Sequence, residues 1–338
     1  MSIITNRSEI LFIYDIRDGN PNGDPLDENK PRIDEETRVN LVTDVRLKRT
    51  IRDYLHDFKG QEVFVREIRD EDGYLQDGKT RAKDFLKDEK LQKELENMSF
   101  EEQRQIIAKN ILDRCIDVRL FGATIPLEIK TKKKKEGQGE SGSLTFTGPV
   151  QFKMGRSLHR VVMKHIKGTG AFADKYTETS KKRQYTFREE DILPYSLILF
   201  YGIINENAAR HTRLTDADVS LLLEGIWNGT KSLISRTKAG QTPRLLLKVN
   251  YSEENYHIGD LDRMIKLVSE IPDENIRDIE DVRLDITTLI NKLKDKRDLI
   301  KDVELLVDDR VKFVKDGEDF DIGRLGETTG IPVREIAF

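Results

Sequence analysis

Side chains that carry oxygen recur at alternate positions in the turn-dense segment 18–24, whose sequence is DGNPNGD. A calcium-binding loop begins in this way, and the positions that match its first half are Asp18, Asn20, Asn22 and Gly23. Such a loop needs a bidentate carboxylate at its twelfth position, where this chain has Asn29. The missing ligand argues against calcium and leaves two uses open. Glycine lets backbone N–H groups approach a phosphate closely, or the segment is only an Asx-rich turn.

The segment that follows is rich in positive charge. Its basic residues include pairs spaced three or four apart, as on a helix: Arg46, Lys48, Arg49 and Arg52. Thr43 is suited to cap this helix, so the basic residues crowd its first half, where the helix dipole opposes positive charge. A phosphate backbone would relieve that conflict, and a solvated charged face is the alternative. Together with the 18–24 loop, the helix favours contact with the sugar-phosphate backbone of a nucleic acid.

Arg119 and Phe121 place a cation beside an aromatic ring. Residues 115–121, CIDVRLF, alternate between two sets of side chains, which predicts a strand with this pair on one face. On a sheet, such a pair can stack a base and contact a phosphate, as in sheet-based RNA-binding proteins. The alternative is that Phe121 belongs to the core.

Further basic residues lie in glycine-containing connections. Taken together they resemble an electrostatic track over several loops: Lys132 to Lys135, Arg156, Arg160, Lys181 to Arg183, Arg236 and Lys238. His159 and His165 flank one basic segment. Two histidines there could act as an acid–base pair on RNA, but polar contacts in a loop are the favoured interpretation.

The sequence offers little for catalysis. It lacks a P-loop, a G-x-S-x-G motif, a dinucleotide-binding fingerprint and an HExxH motif. The single cysteine, Cys115, excludes an internal disulfide and a multi-cysteine zinc site. Asp15, Asp18 and Asp24 could hold hydrated magnesium for phosphodiester cleavage, so a metal-dependent ribonuclease is the alternative function. We expect no catalytic residue, no cofactor and no bound metal.

The overall charge does not indicate a nucleic-acid partner. The 338 residues include 58 basic and 62 acidic side chains, for a net charge of −4. A basic surface therefore has to be local, with the acidic residues segregated elsewhere. The N-terminus lacks a signal-peptide pattern and no apolar stretch is long enough to cross a bilayer, so we expect a cytoplasmic protein with no membrane partner.

These residues need a scaffold of strands and helices. Apolar or alternating runs predict strands at 9–16, 62–69, 115–121, 144–154, 195–204 and 245–251. Helical spacing and capping residues predict helices at 43–58, from Ser99, from Thr215 and at 281–305. The opening order of strand, helix and strand is typical of an α+β fold of the ferredoxin-like kind.

Three polar stretches interrupt this pattern, at 79–113, 128–144 and 167–190. The first has a helical composition, and the second runs from lysine-rich to Gly/Ser-rich. They bury little apolar surface, so we expect a helical insertion and two flexible loops. They interrupt a single domain over 1–338, whose residues 252–338 form a helical or irregular C-terminal part.

The order of several motifs points to a known family. FIYDI, RDGNPNGDP, PRID and LVTDVRLKRTIRDYL follow one another, and DVRLFGAT, LTFTGPVQFKMGRSLHRV and PYSLILFYGII come later. In these motifs the chain resembles the Cas-seven family, the backbone subunits of type I CRISPR Cascade complexes, and most resembles its type I-B branch. The resemblance covers roughly residues 8–250.

The resemblance implies a modified RRM or ferredoxin-like palm with a finger-like helical insertion at 79–113. A thumb-like hairpin would come from either 128–144 or 167–190. It also implies a non-catalytic subunit that polymerises along guide RNA (crRNA) in antiviral defence and recognises target DNA through the guide. Its partners would be crRNA, other copies of itself and other Cascade subunits. The predicted RNA-binding residues are Asn20, Asn22, Arg46, Lys48, Arg49, Arg52, Arg119, Phe121, Arg156, His159, Arg236 and Lys238.

Overall fold

The computed structural model describes residues 2–69, 72–86, 98–129, 140–173 and 185–338. Within these ranges the strands are Ser8–Gly19 (β1), Gly23–Asp24 (β2), Lys30–Pro31 (β3), Val39–Val42 (β4), Gly122–Ile129 (β5), Glu140–Thr147 (β6), Val150–Phe152 (β7), Gly155–Arg160 (β8), Lys164–Ala173 (β9), Tyr185–Ile204 (β10), Thr242–Tyr251 (β11), Lys266–Val268 (β12), Arg283–Asp285 (β13), Ile300–Val307 (β14), Phe313–Lys315 (β15), Glu318–Phe320 (β16) and Val333–Glu335 (β17). The helices are Asp44–Asp57 (α1), Gly78–Asp84 (α2), Phe100–Arg114 (α3), Ile116–Phe121 (α4), Glu206–Thr212 (α5), Asp216–Lys231 (α6), Thr287–Asp295 (α7) and Leu325–Thr329 (α8).

The chain is a mixed α+β protein built on one large sheet. The strand order is β17-β14-β11-β1-β10-β8-β4, with β7 and β9 also paired to β10. β1 lies between β10 and β11 and is antiparallel to both. Its apolar residues are buried on both faces, which explains why this segment reads as a continuous apolar run.

Two cores cover the two faces of the sheet. Phe12 and Tyr14 of β1 point into one core, with the inner faces of α1 and α6. Leu11 and Ile13 point into the other, which residues beyond 252 largely supply, including the inner face of α7. Residues 252–338 also contain a small sheet of order β12-β13-β15-β16 and add β14 and β17 to the large sheet.

The helical insertion has a third core of its own. Ile107 and Ile111 of α3 pack with Ile125 and Leu127 of the β5–β6 hairpin and with Ala82 of α2. Within 79–113 the described residues form α2 and α3, and 87–97 lie outside the described residues. In 128–144, residues 130–139 lie outside them, and in 167–190 residues 174–184 do.

Most long elements match the sequence predictions. The strands at 9–16, 195–204 and 245–251 are confirmed within β1, β10 and β11. Thr43 caps α1, and Ser99 and Thr215 cap α3 and α6 with complete capping boxes. These segments are long and strongly patterned, which is why local sequence determines them.

The prediction of a strand at 115–121 is wrong, because this segment forms α4. The short helix lies between two cores: Ile116 and Leu120 are buried in the core that contains Phe12 and Tyr14, and Val118 is buried in the insertion core. Burial on opposite sides imitates the alternation of a strand. Gly122 ends the helix with a φ of 69°, a left-handed conformation that favours glycine.

Three other element predictions need correction. Residues 62–69 form only isolated bridges, because the N–H groups of Phe64 and Val65 donate to the Asp117 carboxylate instead of to a strand. The 144–154 strand is broken into β6 and β7 at Gly148 and Pro149, since Pro149 cannot donate to a sheet. The 281–305 helix is only α7, flanked by β13 and β14.

Candidate nucleic-acid interface

The loop after β1 packs against the segment that joins α6 to β11. The backbone N–H of Asn20 donates to the carbonyl oxygen of Thr237 at 2.8 Å, and its side-chain Nδ2 donates to the carbonyl oxygen of Asn29 at 2.7 Å. The close approach requires glycine at position 19, because a Cβ there would lie 2.8 Å from the Thr237 carbonyl oxygen. We call residues 20–31, the first half of α1 and residues 232–241 the loop surface.

Asn22 joins this loop to α1. Its Oδ1 accepts hydrogen bonds from the backbone N–H of Thr43 at 2.8 Å and from the Thr43 hydroxyl at 2.9 Å. Thr43 is itself the N-cap of α1 and accepts from the Arg46 N–H. Asn22 therefore fixes the loop against the helix start, and its oxygen is committed to that task. The calcium-loop alternative loses one of its ligands in this way.

Arg46 and Lys238 are two cations of the loop surface that lie close enough to interact electrostatically. Burial lowers the pKa of Lys238, and the positive charge of Arg46 lowers it further. Burial also lowers the pKa of Arg46. Among the described residues neither side chain lies within ion-pair distance of a carboxylate, and the only acceptor near Lys238 Nζ is the Asn20 carbonyl oxygen at 3.5 Å. Two partly buried cations without an acid form a place where an anion is favoured.

Two buried polar atoms of the loop surface lack a hydrogen-bond partner within the described ranges. The buried Asn20 Oδ1 and Gln241 Nε2 have no hydrogen-bond partner among the described residues. Gln241 and Tyr14 line a small cavity beneath Arg46. Neither Gln241 nor Tyr14 was predicted from the sequence, because nothing in their local pattern shows that β1 and β11 bring them under the helix.

The other basic residues of α1 already have partners. Lys48 Nζ lies 2.9 Å from an Asp44 carboxylate oxygen, one turn away. Arg49 Nε lies 2.6 Å from Asp53, also one turn away, and is half exposed. These surface pairs are worth little, so they do not prevent either cation from meeting a phosphate. They do reduce the positive charge that the helix presents.

Arg52 and Phe121 make their contacts within the protein. Arg52 Nε donates to the buried Asp117 carboxylate at 3.0 Å. The Phe121 ring is buried beneath two cations, with Lys48 Nζ 5.7 Å and the Arg52 guanidinium carbon 5.2 Å from its centroid. The ring stabilises the basic face of α1 by cation–π contact, and is not presented on a sheet for a base.

Arg119 is also committed. Its guanidinium makes a bidentate pair with Asp218 at 2.7 and 3.0 Å and donates to the Leu112 carbonyl oxygen at 2.9 Å. Because 115–121 is a helix, Arg119 and Phe121 do not share a strand face. Their RNA contacts stay a prediction that has lost its geometric basis.

Of the three remaining predicted residues, Arg156 and His159 lie on β8 and Arg236 lies in the segment between α6 and β11. Arg156 is exposed on β8 with its guanidinium 3.5 Å from an Asp34 carboxylate oxygen. His159, three residues along, is buried: the Leu197 N–H donates to Nε2, so the proton lies on Nδ1, which donates to the Arg160 carbonyl oxygen. Burial lowers the pKa of His159. Arg236 pairs with Glu190 of β10.

The acidic residues that could hold a metal ion are separated. Asp15 is buried against Arg244 and accepts from the Tyr195 hydroxyl. Asp24 pairs with Arg32 at 2.8 Å and caps the turn at Leu26. In the described part of the chain, no three His, Cys, Asp or Glu side chains come together as a metal site.

Comparison with known proteins decides the family. The family model for CRISPR-associated protein Cas7 matches residues 6–287. A CRISPR-associated protein Cas7 from Haloferax volcanii is 34% identical over 314 residues, which cover 91% of this chain and 88% of that protein. This chain belongs to the Cas7 family.

The Cas7 fold extends to solved structures. A chain of a CRISPR RNA-guided surveillance complex, pre-nicking, superposes with a TM-score of 0.53 at 11% identity. The match covers 96% of this Cas7 chain and 99% of the solved chain. It shows that the two share a fold over nearly their whole lengths. None of the helices in the described ranges of this Cas7 chain is long and apolar enough to span a membrane.

A long hairpin formed by β9 and the first half of β10 lies beside the loop surface of this Cas7 chain. β9 pairs with the first half of β10, from Lys164 opposite Ile192 to Lys167 opposite Glu189 and onward. Gly19 at the end of β1 is opposite Leu193, so the hairpin leaves the large sheet where the loop surface begins. The pair between Arg236 and Glu190 joins the two features.

Proposed function

We propose that this Cas7 chain is a non-catalytic backbone subunit of a type I-B Cascade complex, which binds crRNA through the loop surface. The single observation that carries the proposal is the pair Arg46 and Lys238, two partly buried cations without a carboxylate partner among the described residues. A phosphodiester supplies the missing negative charge. Family membership and the shared fold with a chain of an RNA-guided surveillance complex support the same role.

The order of elements supports an RRM-like palm. β1, α1, β8, β10, α6 and β11 occur in this sequence, and the sheet order is β11-β1-β10-β8. This is the β-α-β-β-α-β arrangement of ferredoxin-like folds, with both helices on one face. In this scheme the β9–β10 hairpin supplies the thumb, because its base lies beside the loop surface. The β5–β6 hairpin belongs to the finger-like insertion and its core.

Assembly and target recognition follow from backbone contact. A subunit that holds phosphates leaves the bases of the guide free to pair with target DNA. Copies of the chain would then repeat along one crRNA, together with other Cascade subunits, in the cytoplasm. The commitment of Asp15 and Asp24 to arginine partners supports a non-catalytic role. RNA cleavage that requires magnesium and disappears in Asp24→Ala would contradict it.

The proposal predicts a change in the salt dependence of RNA binding. Arg46→Ala and Lys238→Ala should each weaken affinity for a single-stranded RNA about tenfold, since each removes a charge-assisted contact. The slope of log K against log salt should fall by up to about 0.7 for each lost phosphate contact. Fluorescence anisotropy over a salt series measures both quantities, with several RNA sequences that should respond equally.

Arg283→Ala is the matched control. Arg283 is a basic residue on the small C-terminal sheet, 3.4 Å from Asp319. Its loss changes the net charge by the same amount but removes no residue of the loop surface. If the control lowers affinity and slope as much as the two variants, the loop surface is not the RNA site. A second check is to purify the chain with its neighbouring subunits and sequence the RNA that comes with it.

A further inference from the structure

Two aliphatic side chains of the loop surface are almost entirely exposed to solvent. Leu26 is 96% exposed and Ile234 is 93% exposed. A single exposed aliphatic residue is ordinary in proteins. Here two of the most exposed ones in the described chain lie on two loops that both contact the same residue, Asn20, through Asn29 and Thr237.

The chain path limits how far these side chains lie from Asn20. Leu26 is three residues from Asn29, and Ile234 is three residues from Thr237. Three peptide units span at most about 11 Å between Cα atoms. Lys238 belongs to the Ile234 loop, and its Nζ lies 3.5 Å from the carbonyl oxygen of Asn20, the residue that both loops contact. The two apolar tips therefore lie near two cations that have no carboxylate partner among the described residues.

Leu26 is held in place rather than loose. The Asp24 carboxylate accepts from the Leu26 N–H at 3.0 Å, and the Asp24 carbonyl oxygen accepts from the N–H groups of Asp27 and Asn29. Arg32 in turn fixes the Asp24 carboxylate at 2.8 Å. The Ile234 loop closes through the Ser235 carbonyl oxygen, which accepts from Lys238 and Ala239. An apolar tip on an ordered turn costs little further entropy when it packs against a ligand.

We propose that Leu26 and Ile234 pack against the faces of nucleobases on either side of the phosphate held by Arg46 and Lys238. The inference rests on the proposed function and adds the chemistry of the contact. A base has a flat apolar face, and aliphatic wedges are known to insert against such faces. Every base offers this face, so the contact tolerates any sequence, as a guide-binding subunit requires.

The test uses the full-length chain and short RNA oligonucleotides that hold one copy. Leu26→Ala and Ile234→Ala should each weaken binding about fivefold, toward the lower end of what loss of a base-stacking residue costs. The slope of log K against log salt should stay unchanged, because no charge is lost. Leu75→Ala is the control, since Leu75 is an exposed leucine in the segment that leads to α2. All three sites are exposed, and thermal melts should show intact folding.

Abasic RNA identifies the partner of the two side chains. The wild-type chain should bind an abasic oligonucleotide of the same length about as weakly as the Leu26→Ala/Ile234→Ala double variant binds intact RNA. The double variant should bind the abasic and the intact oligonucleotide equally. Equal affinity of the double variant and the wild type for intact RNA overturns the inference. If affinity is equal but sedimentation on long RNA shows fewer copies, the tips contact a second copy of the chain, which also overturns it. Absence of salt-dependent RNA binding by the wild type contradicts the proposed function instead.

Discussion

The charge state of Lys238 depends on its neighbours. Burial and the nearby Arg46 guanidinium lower its pKa below the ordinary value for lysine. In the folded protein this favours the neutral form, so the unfolded chain holds more protons over the range between the two pKa values. This shift makes the free energy of unfolding rise as the pH increases through that range. A bound phosphate has the opposite effect on Lys238, because it favours the charged form.

RNA affinity should therefore fall as the pH rises from 7 toward the ordinary pKa of lysine, about 10.4. Binding takes up a proton wherever free Lys238 is partly neutral and bound Lys238 is charged, so a higher pH opposes binding. The measurement is Kd against pH with a 2′-O-methyl RNA oligonucleotide, which resists alkaline cleavage. Lys238→Arg is the control, because its guanidinium stays charged throughout. A decline of equal size in Lys238→Arg would assign the effect to another group.

At the scale of elements, helix α1 contributes both to the loop surface and to the packing of α4. Its first half presents Arg46 to the loop surface, while Arg52 holds the short helix α4 through Asp117. Asp117 is fully buried and also accepts from the N–H groups of Phe64 and Val65 at 2.7 and 3.1 Å. One carboxylate thus joins α1, α4 and the segment that leads to α2.

Asp117→Ala should lower the free energy of unfolding by about 3–5 kcal/mol, because it leaves a buried guanidinium and two backbone N–H groups without an acceptor. Urea unfolding measures the change. Asp113→Ala is a suitable control, since Asp113 makes an exposed ion pair with Arg213 and should cost less than about 1 kcal/mol. Similar losses in both variants would show that Asp117 does not join these elements.

At the scale of the whole molecule, the β9–β10 hairpin extends beyond the part of β10 that pairs with β1. The large sheet keeps its own pairing along β1 and the second half of β10. We therefore expect the hairpin to make contacts outside the subunit.

Replacement of residues 168–188 by Asn-Gly should leave the fold intact. Lys167 and Glu189 are directly paired, so a two-residue turn can close the shortened hairpin. We expect a melting temperature within a few degrees of the wild type and unchanged affinity for an RNA that holds one copy. Assembly of several copies on a longer RNA should lose cooperativity, which analytical ultracentrifugation measures. Unchanged cooperativity would mean that the hairpin is not the thumb.

The sequence by itself determined the long elements and the family. β1, β10, β11 and α1 carry enough apolar residues at the right spacing to specify strand or helix locally. The caps of α1, α3 and α6 follow from local side-chain hydrogen bonds. The ordered motifs from FIYDI to PYSLILFYGII point to the Cas7 family through residue types and order alone.

Only the tertiary structure decided which basic residues pair with acidic residues distant in sequence. Arg46 and Lys238 are 192 positions apart, and no local pattern shows that they come together with no carboxylate partner in the described part of the chain. Arg119 looked equally available, yet a long-range pair with Asp218 occupies it. Long-range packing also explains why the strand prediction for 115–121 is wrong. The helix in this segment is buried against two cores, and that burial imitates the alternation of a strand. The Arg119–Asp218 pair and the cores join residues distant in sequence, so these partners are set by packing rather than by spacing.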